Sequence, residues 1–295
     1  MPARVLVFGR QGQVARALAE RSDFDLRFAG HDRLDLASPN ADVAGLIEAE
    51  SPALVINAAA YTAVDRAESE PAACAQLNRE APRRIAEICA AADIPFVHFS
   101  TDYVFDGRKG APYVEADPRN PLGVYGRTKA EGEAALEALW ARGARGAVAR
   151  SSWIFSPGGP GFLQTMLRLA REREEVGVVD DQRGCPTSAE TAAEAAVALG
   201  RRLLDRDSAG QGLFHAAGAD AMTWADFAEA IFAASRERGG PSARVRRIAT
   251  VEYPTPAARP PDARLASTRL EGLGDWRGPP FAEALSRCMR RLELS

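Results

Sequence analysis

Short apolar runs alternate with longer amphipathic stretches over the first 150 residues. Arg4-Val5-Leu6-Val7-Phe8 is apolar on consecutive positions and stops at a glycine. A run of that length suits a strand buried on both faces of a parallel sheet. Residues 26–29, 53–57, 94–100 and 147–150 repeat the signal. Between them, 13–21, 43–50, 71–92 and 125–141 read as helices. Ser38-Pro39 is a start signal for the second. Leu77, Ala81, Ile85, Ile88 and Cys89 recur at helical spacing along the third. This alternation predicts an α/β fold with a Rossmann-type, doubly wound parallel sheet.

After Trp153 the rhythm breaks. Ser156-Pro-Gly-Gly-Pro-Gly is a loop, 162–172 a helix and 175–179 a strand. Residues 189–205 (helix) and 212–217 (strand) are expected to rejoin the first sheet, and 224–236 is another helix. Residues 239–265, rich in Pro and Arg, read as irregular. The expected organisation is a first domain over 1–150 plus about 191–217. A smaller, discontinuous α/β domain would take about 151–190 and 218–295.

Composition narrows the function. The chain is 46% hydrophobic and 26% charged, as soluble globular proteins are. A net charge of −3 offers no bulk attraction to nucleic acid or an anionic membrane, so neither is expected as a partner. With no leader-like start and no apolar run near ~18 residues, a cytoplasmic location is expected. Cys74, Cys89, Cys185 and Cys288 form no C-x-x-C pair, and His31, His98 and His215 are scattered. No metal or disulfide framework is readable. Trp140, Trp224 and Trp276 read as packing residues, and Arg244, Arg246 and Arg247 as a solvated cluster.

The chemistry sits at the ends of the strands. Gly9-Arg-Gln-Gly12-Gln-Val-Ala15 follows the first strand and opens a helix. Glycines there let the backbone approach a pyrophosphate, and the helix N-terminus supplies N–H donors. Further on, Asp32 could take ribose hydroxyls, whereas Arg33 and Arg10 could take a 2′-phosphate; Asp35 and Leu36 could flank the adenine. Ala58-Ala59-Ala60-Tyr61-Thr62 and Ser100-Thr101-Asp102 end the third and fourth strands, where an open α/β sheet binds ligands. Tyr125 and Lys129 are four apart and share a helix face. The ammonium is expected to lower the phenol's pKa, tuning it to protonate a developing alkoxide. Carbonyl reduction by a nicotinamide needs such an acid.

These motifs resemble the extended short-chain dehydrogenase/reductases, and more finely the dTDP-4-dehydrorhamnose reductase family. FGRQGQV (8–14), NAAAYTAVDRAESEP (57–71), STDYVFDG (100–107), PLGVYGRTKAEGE (121–133), RSSWIF (150–155), DQRGCPTSAE (181–190) and YPTPAARP (253–260) carry the resemblance over nearly the whole chain. It implies a dTDP-sugar substrate and NAD(P)H; Arg10 and Arg33 beside the adenosine end add the expectation that NADPH is used at least as well as NADH. Thr101, Tyr125 and Lys129 become the catalytic set. Gly9, Arg10, Gly12, Gln13, Val14, Arg33, Asp35, Leu36, Ala58, Ala59, Ala60, Tyr61 and Ser100, with Tyr125 and Lys129, are implied around the cofactor. Thr62, Val64, Asp102 and Trp153, with Thr101 and Tyr125, are implied around the sugar. No catalytic metal is implied, and the chain is expected to be a monomer or homodimer. There are three departures from the pattern: Ala15 replaces the third glycine, Ala17 replaces a glutamate of the family's metal-linked dimer, and Asp262-Ala263 replaces Asn-Ser. A sister reductase giving the other C4 epimer, or a non-catalytic regulatory subunit of the same ancestry, remains open.

Overall fold

The computed structural model describes residues 2–20 and 24–292. Residue 21, the last of the first expected helix, and residues 1 and 293–295, at the outer ends of the expected domains, lie outside the described residues. The longer strands are β1 (Arg4–Phe8), β2 (Asp25–Ala29), β3 (Leu54–Asn57), β4 (Phe96–Thr101), β5 (Gly146–Ser151), β6 (Glu175–Val179), β7 (Gly212–His215) and β8 (Arg244–Ile248). The longer helices are α1 (Gln13–Ala19), α2 (Val43–Glu50), α3 (Ala81–Ala91), α4 (Val124–Trp140), α5 (Phe162–Glu172), α6 (Ala189–Leu204), α7 (Trp224–Arg236) and α8 (Phe281–Arg290).

Six strands form one parallel sheet in the order β7-β5-β4-β3-β1-β2. The chain winds outward from β1 in both directions, so the order reverses between β1 and β3. Ligands bind such sheets at that reversal, beyond the carboxyl ends of the strands. Register brings those ends level: Phe8 lies beside Asn57, and Thr101 beside Ser151.

Alternate side chains of each strand feed two cores. Val5, Val7, Leu54, Ile56 and Val97 share a cluster with Ala193, Ala196 and Leu199 of α6. Leu6, Phe8, Val55, Phe96 and Val148 share the opposite core with Ile85 of α3 and Leu136 of α4. α6 and β7 therefore return to the first sheet. A separate core joins Phe155, Leu163 and Met166 to Val176, Phe227, Ile231 and Phe281, beside the parallel pair β6–β8.

Three local expectations change. The long helix predicted over 71–92 carries a π-helical segment at Gln76–Glu80, between Pro71–Ala75 and α3. A wider turn of this kind ejects one backbone step and is frequent at functional sites. Residues 239–265 are not wholly irregular, because β8 runs through them. Its arginines are matched by acids on neighbouring elements: Arg244 meets Glu175 at 2.7 Å, and Arg247 meets Asp226, Glu229 and Asp180 at 2.7–2.8 Å. α2 is capped by Asp42, whose carboxylate accepts from the Gly45 N–H at 2.9 Å, rather than by Ser38-Pro39.

Candidate active site

Gly9 closes β1 with φ +97°, and a Cβ there would sit 3.1 Å from the Ala58 carbonyl carbon. Only glycine allows that backbone and that approach. Gly12 caps α1 and faces open space, its nearest neighbour being the Ala58 oxygen at 4.0 Å from an added Cβ. Together they border a cleft of about 570 Å³, with Ala58, Ala59 and Ala60 on the opposite wall and Asp32, Asp35 and Leu36 at its far end. Glycines without side chains, a helix start and a wall of alanines fit a dinucleotide's pyrophosphate and adenosine.

The charged residues divide. Arg10 lines the cleft 3.6 Å from Asp32. Arg33 does not line it: its guanidinium pairs with Glu50 at the end of α2, the carboxylate closest to hand. Asp35 spends one oxygen on the Ala37 N–H at 2.9 Å and faces His31 at 3.4 Å. Val14 packs inward against the core. Gln13 reaches the other way. Its amide oxygen accepts from Ser156 at 2.7 Å and its nitrogen donates to the Pro160 carbonyl at 3.3 Å, so only its backbone remains for a phosphate.

The alanine wall is held from behind. The buried Asn78, in the π segment, brackets Tyr61 with two bonds, accepting from its N–H at 2.9 Å and donating to its carbonyl at 3.0 Å. The Tyr61 phenol is spent on Glu70 at 2.6 Å. The π segment also pushes its Asn78 carbonyl against Gly132 of α4, where any side chain would collide with it. Nothing local in the sequence around Asn78 marks this bracket.

α4 begins where the Glu68 carboxylate accepts the Val124 N–H at 2.8 Å, which sets Tyr125 on its first turn. Tyr125 is half-buried and meets the Tyr103 ring edge-on at 5.5 Å. One turn on, Lys129 is only 2% exposed and donates to the Phe99 carbonyl at 3.0 Å. Burial pushes the Lys129 ammonium down to about 8, with Glu133 opposing. Burial pushes the Tyr125 phenol up, opposed by a hydrogen bond with Thr101. This corrects the expectation that the ammonium lowers the phenol's pKa. In the free protein desolvation dominates, Lys129 is not among the groups that move the phenol, and the phenol stays protonated, the form an acid needs.

Thr101 ends β4. Its hydroxyl donates to Asp102 at 2.9 Å and accepts the Tyr103 N–H at 3.2 Å. Asp102 itself is 2% exposed, and its other oxygen accepts from Ser152 at 2.8 Å. The carboxylate expected beside the sugar is therefore turned inward. Ser100 is buried next to it on β4. Behind α4, Glu133 pairs with the fully buried Arg150 through bonds of 2.9 and 2.7 Å. An arginine ending an otherwise apolar strand is the one signal of that pair in the sequence.

Across the crevice, Trp153 has φ +48° and stacks on Trp224 with centroids 3.6 Å apart and planes 10° apart. Gly184 leaves the room its indole occupies. A bulky residue in the left-handed region costs ~1–3 kcal/mol and marks functional sites. Trp224 is thus the second slab of an aromatic pair, beyond the packing role expected of it. Thr62 is exposed, and Val64 opens the short helix Val64–Ala67. Asp65 of that helix forms a two-pronged pair with Arg259, at 2.7 and 2.8 Å, tying the 57–71 and 253–260 motifs together.

A glycine cleft at the reversal point of a parallel sheet, with a Tyr-x-x-x-Lys helix at the same edge, defines a Rossmann-type short-chain dehydrogenase/reductase. Within that class, the chain belongs to the RmlD substrate binding domain family, whose sequence pattern spans residues 3–294. It is similar to a dTDP-4-dehydrorhamnose reductase of Sinorhizobium fredii, 40% identical over 99% of this chain and 98% of that protein. It is 38% identical to a probable dTDP-4,6-dihydroxy-2-methyloxan-3-one 4-ketoreductase of Streptomyces antibioticus, over 93% of this chain and 92% of that one. Among solved structures, the dTDP-4-dehydrorhamnose reductase of Bacillus anthracis in complex with NADP superposes with a TM-score of 0.88. It is 29% identical and covers 98% of this chain and 99% of that one.

Proposed function

We infer that this chain is an NADPH-dependent reductase that converts the C4 ketone of dTDP-4-dehydro-L-rhamnose to the alcohol of dTDP-L-rhamnose, the last step of dTDP-rhamnose synthesis. The observation that carries this is the meeting of Thr101, Tyr125 and Lys129 at the strand ends beside the glycine cleft, in a chain similar to such reductases over its whole length. Bound NADPH would supply the hydride. Gly9, Gly12 and the 58–60 wall would hold it, with Arg10 at the adenosine end. Lys129 would hold the nicotinamide ribose. Thr101 hydrogen-bonds the substrate oxygen, and Tyr125 gives that oxygen its phenolic proton as negative charge develops. Trp153, Thr62 and Val64 border the sugar.

Residues 1–150 with 191–217 are taken as the cofactor domain, and 151–190 with 218–295 as the sugar domain; the separate core around Phe155 and Phe227 supports that division, whereas Leu270 and Trp276 pack into the core of the first sheet. A cytoplasmic location is part of this reading, and among the described residues no helix is long and apolar enough to cross a membrane. Assembly as a monomer or homodimer is left to sizing in solution.

Cofactor oxidation with dTDP-4-dehydrorhamnose is the test. Tyr125→Phe keeps the ring and deletes the acid, so turnover should fall by roughly 10²–10⁴-fold with cofactor affinity nearly kept. Near-full kcat in that variant would remove the phenol from the mechanism. The Streptomyces antibioticus relative supports a second reading, a 4-ketoreductase acting on another dTDP-sugar or giving the other C4 epimer. The C4 configuration of the product, read by NMR, separates the two.

A further inference from the structure

Asp102 holds a buried carboxyl whose side-chain partners are two neutral hydroxyls, with the backbone N–H groups of Asp102 and Tyr103 also at hand, and one of those hydroxyls belongs to a proposed catalytic residue. The Thr101 hydroxyl has one proton, and it is spent on Asp102 Oδ1 at 2.9 Å while its oxygen accepts from the Tyr103 N–H. In that state Thr101 has no proton to offer a ketone oxygen. On the other side, Ser152 Oγ accepts from the Cys185 N–H at 3.4 Å and donates its own proton to Asp102 Oδ2 at 2.8 Å. With Ser152 donating to Oδ2, the proton of a neutral Asp102 sits on Oδ1, facing Thr101.

The geometry points to Asp102 as a positioning residue whose protonation sets which way the Thr101 hydroxyl donates. Ionised, Asp102 sequesters the Thr101 proton. Protonated, it donates to Thr101 Oγ1, and the threonine turns its own proton toward the substrate oxygen. Asp102 keeps its proton throughout, since the one delivered to substrate is that of Tyr125. This rests on the reading of Thr101 as a ligand of the ketone oxygen.

The surroundings favour the neutral carboxyl. Burial pushes Asp102 up to about 6, with the Ser152 and Thr101 bonds pulling the other way. The titratable groups that feel its charge are Tyr103 beside it, Tyr125 on α4 and Cys185 after β6, and each is raised by burial first and by Asp102 in addition. Arg259 reaches Tyr103 from the 253–260 segment, with Asp65 as its partner. A substrate closing the crevice removes more water and raises the carboxyl further.

The test compares kcat against pH for the wild type, Asp102→Asn and Asp102→Ala, with melting of the ligand-free proteins alongside. Wild-type kcat should decline as pH rises through an apparent pKa at or above about 6. In Asp102→Asn the amide oxygen accepts from Ser152 and the nitrogen donates to Thr101, so that decline should vanish. Asp102→Ala, which orients nothing, should fall about tenfold or more below Asp102→Asn in kcat. The KM for the sugar nucleotide should change little in either. A wild-type pH profile retained in Asp102→Asn, or an effect confined to KM, overturns the inference. In the melts, a carboxyl raised in the folded state costs stability as pH rises through its folded pKa. Asp102→Asn should thus gain on the wild type between pH ~5 and ~8, and an unchanged difference also overturns it. Absence of turnover by the wild type would instead sink the functional reading, with the melts still reporting on Asp102.

Discussion

Replacing Glu133 by glutamine should destabilise the protein far more than its loss of one charge suggests. Glu133 and Arg150 are both fully buried, and the carboxylate takes two guanidinium bonds at 2.9 and 2.7 Å. Arg119 also reaches Glu133 at 3.1 Å, but it keeps Glu137 at 2.6 Å and is not orphaned. Arg150 has little else: His215 Nε2 at 3.3 Å, the Glu115 carbonyl at 3.5 Å, and the Phe105 ring at 5.1 Å. Burial, then Arg150, pushes His215 down to about 3, so the ring is a neutral partner. In Glu133→Gln one guanidinium bond survives and the other meets an amide N–H. Breaking a buried pair from one side costs ~3–5 kcal/mol, because the remaining charge has left water without compensation. Glu133→Leu with Arg150→Met removes both charges and should lie within ~1–2 kcal/mol of the wild type. Urea unfolding of the ligand-free proteins measures the cycle. Burial raises the Glu133 carboxyl, but the Arg150 bonds and charge outweigh it and leave the folded value lowered. Its contribution is then present above the unfolded pKa of ~4.3 and lost as pH falls through the lower folded value. The gap between wild type and Glu133→Gln should hold from pH ~8 to ~6 and close only below ~4. A Glu133→Gln protein within ~1 kcal/mol of wild type, or a double variant no better than the single, would refute this reasoning.

Arg10→Ala should weaken NADPH binding by roughly tenfold, about 1.4 kcal/mol, and NADH binding little, because Arg10 is the arginine that lines the cleft while Arg33 is held by Glu50. Equal losses for both cofactors in fluorescence titrations would remove Arg10 from the 2′-phosphate. Gly132→Ala should destabilise by ~1–2 kcal/mol, since collision with the Asn78 carbonyl outweighs the helix preference for alanine. It should also loosen cofactor binding through the Asn78–Tyr61 bracket, and a more stable variant with intact affinity would contradict both. Lys129→Met should lose turnover and cofactor affinity together. Lys129 is depressed to about 8 in the fold, so wild-type stability falls as pH drops through that value, and the methionine variant should gain on it in melts at pH ~6 relative to ~10.

The glycine turn, the strands β1 and β6 and the helices α2, α5 and α7 are legible from the chain alone. Their bounds follow from apolar periodicity and from glycine or proline punctuation, which are local properties. The Tyr125–Lys129 spacing is equally local, because one helical turn fixes it. Pairing is not local. Arg33 could read a phosphate or a carboxylate, and only the fold brought Glu50 to it. β8 looked irregular because its arginines find their acids on β6 and α7 and in Asp180, up to about seventy residues back in the chain. The π segment is accommodated because α4 presents a glycine where the Asn78 carbonyl needs space, more than fifty residues away. Trp153 and Trp224 likewise meet only once two elements fold together. The sign of the Tyr125 shift turned on the same distinction. Residue type says which charges are available, whereas burial, a property of the whole packed molecule, decides which protonation state each group holds.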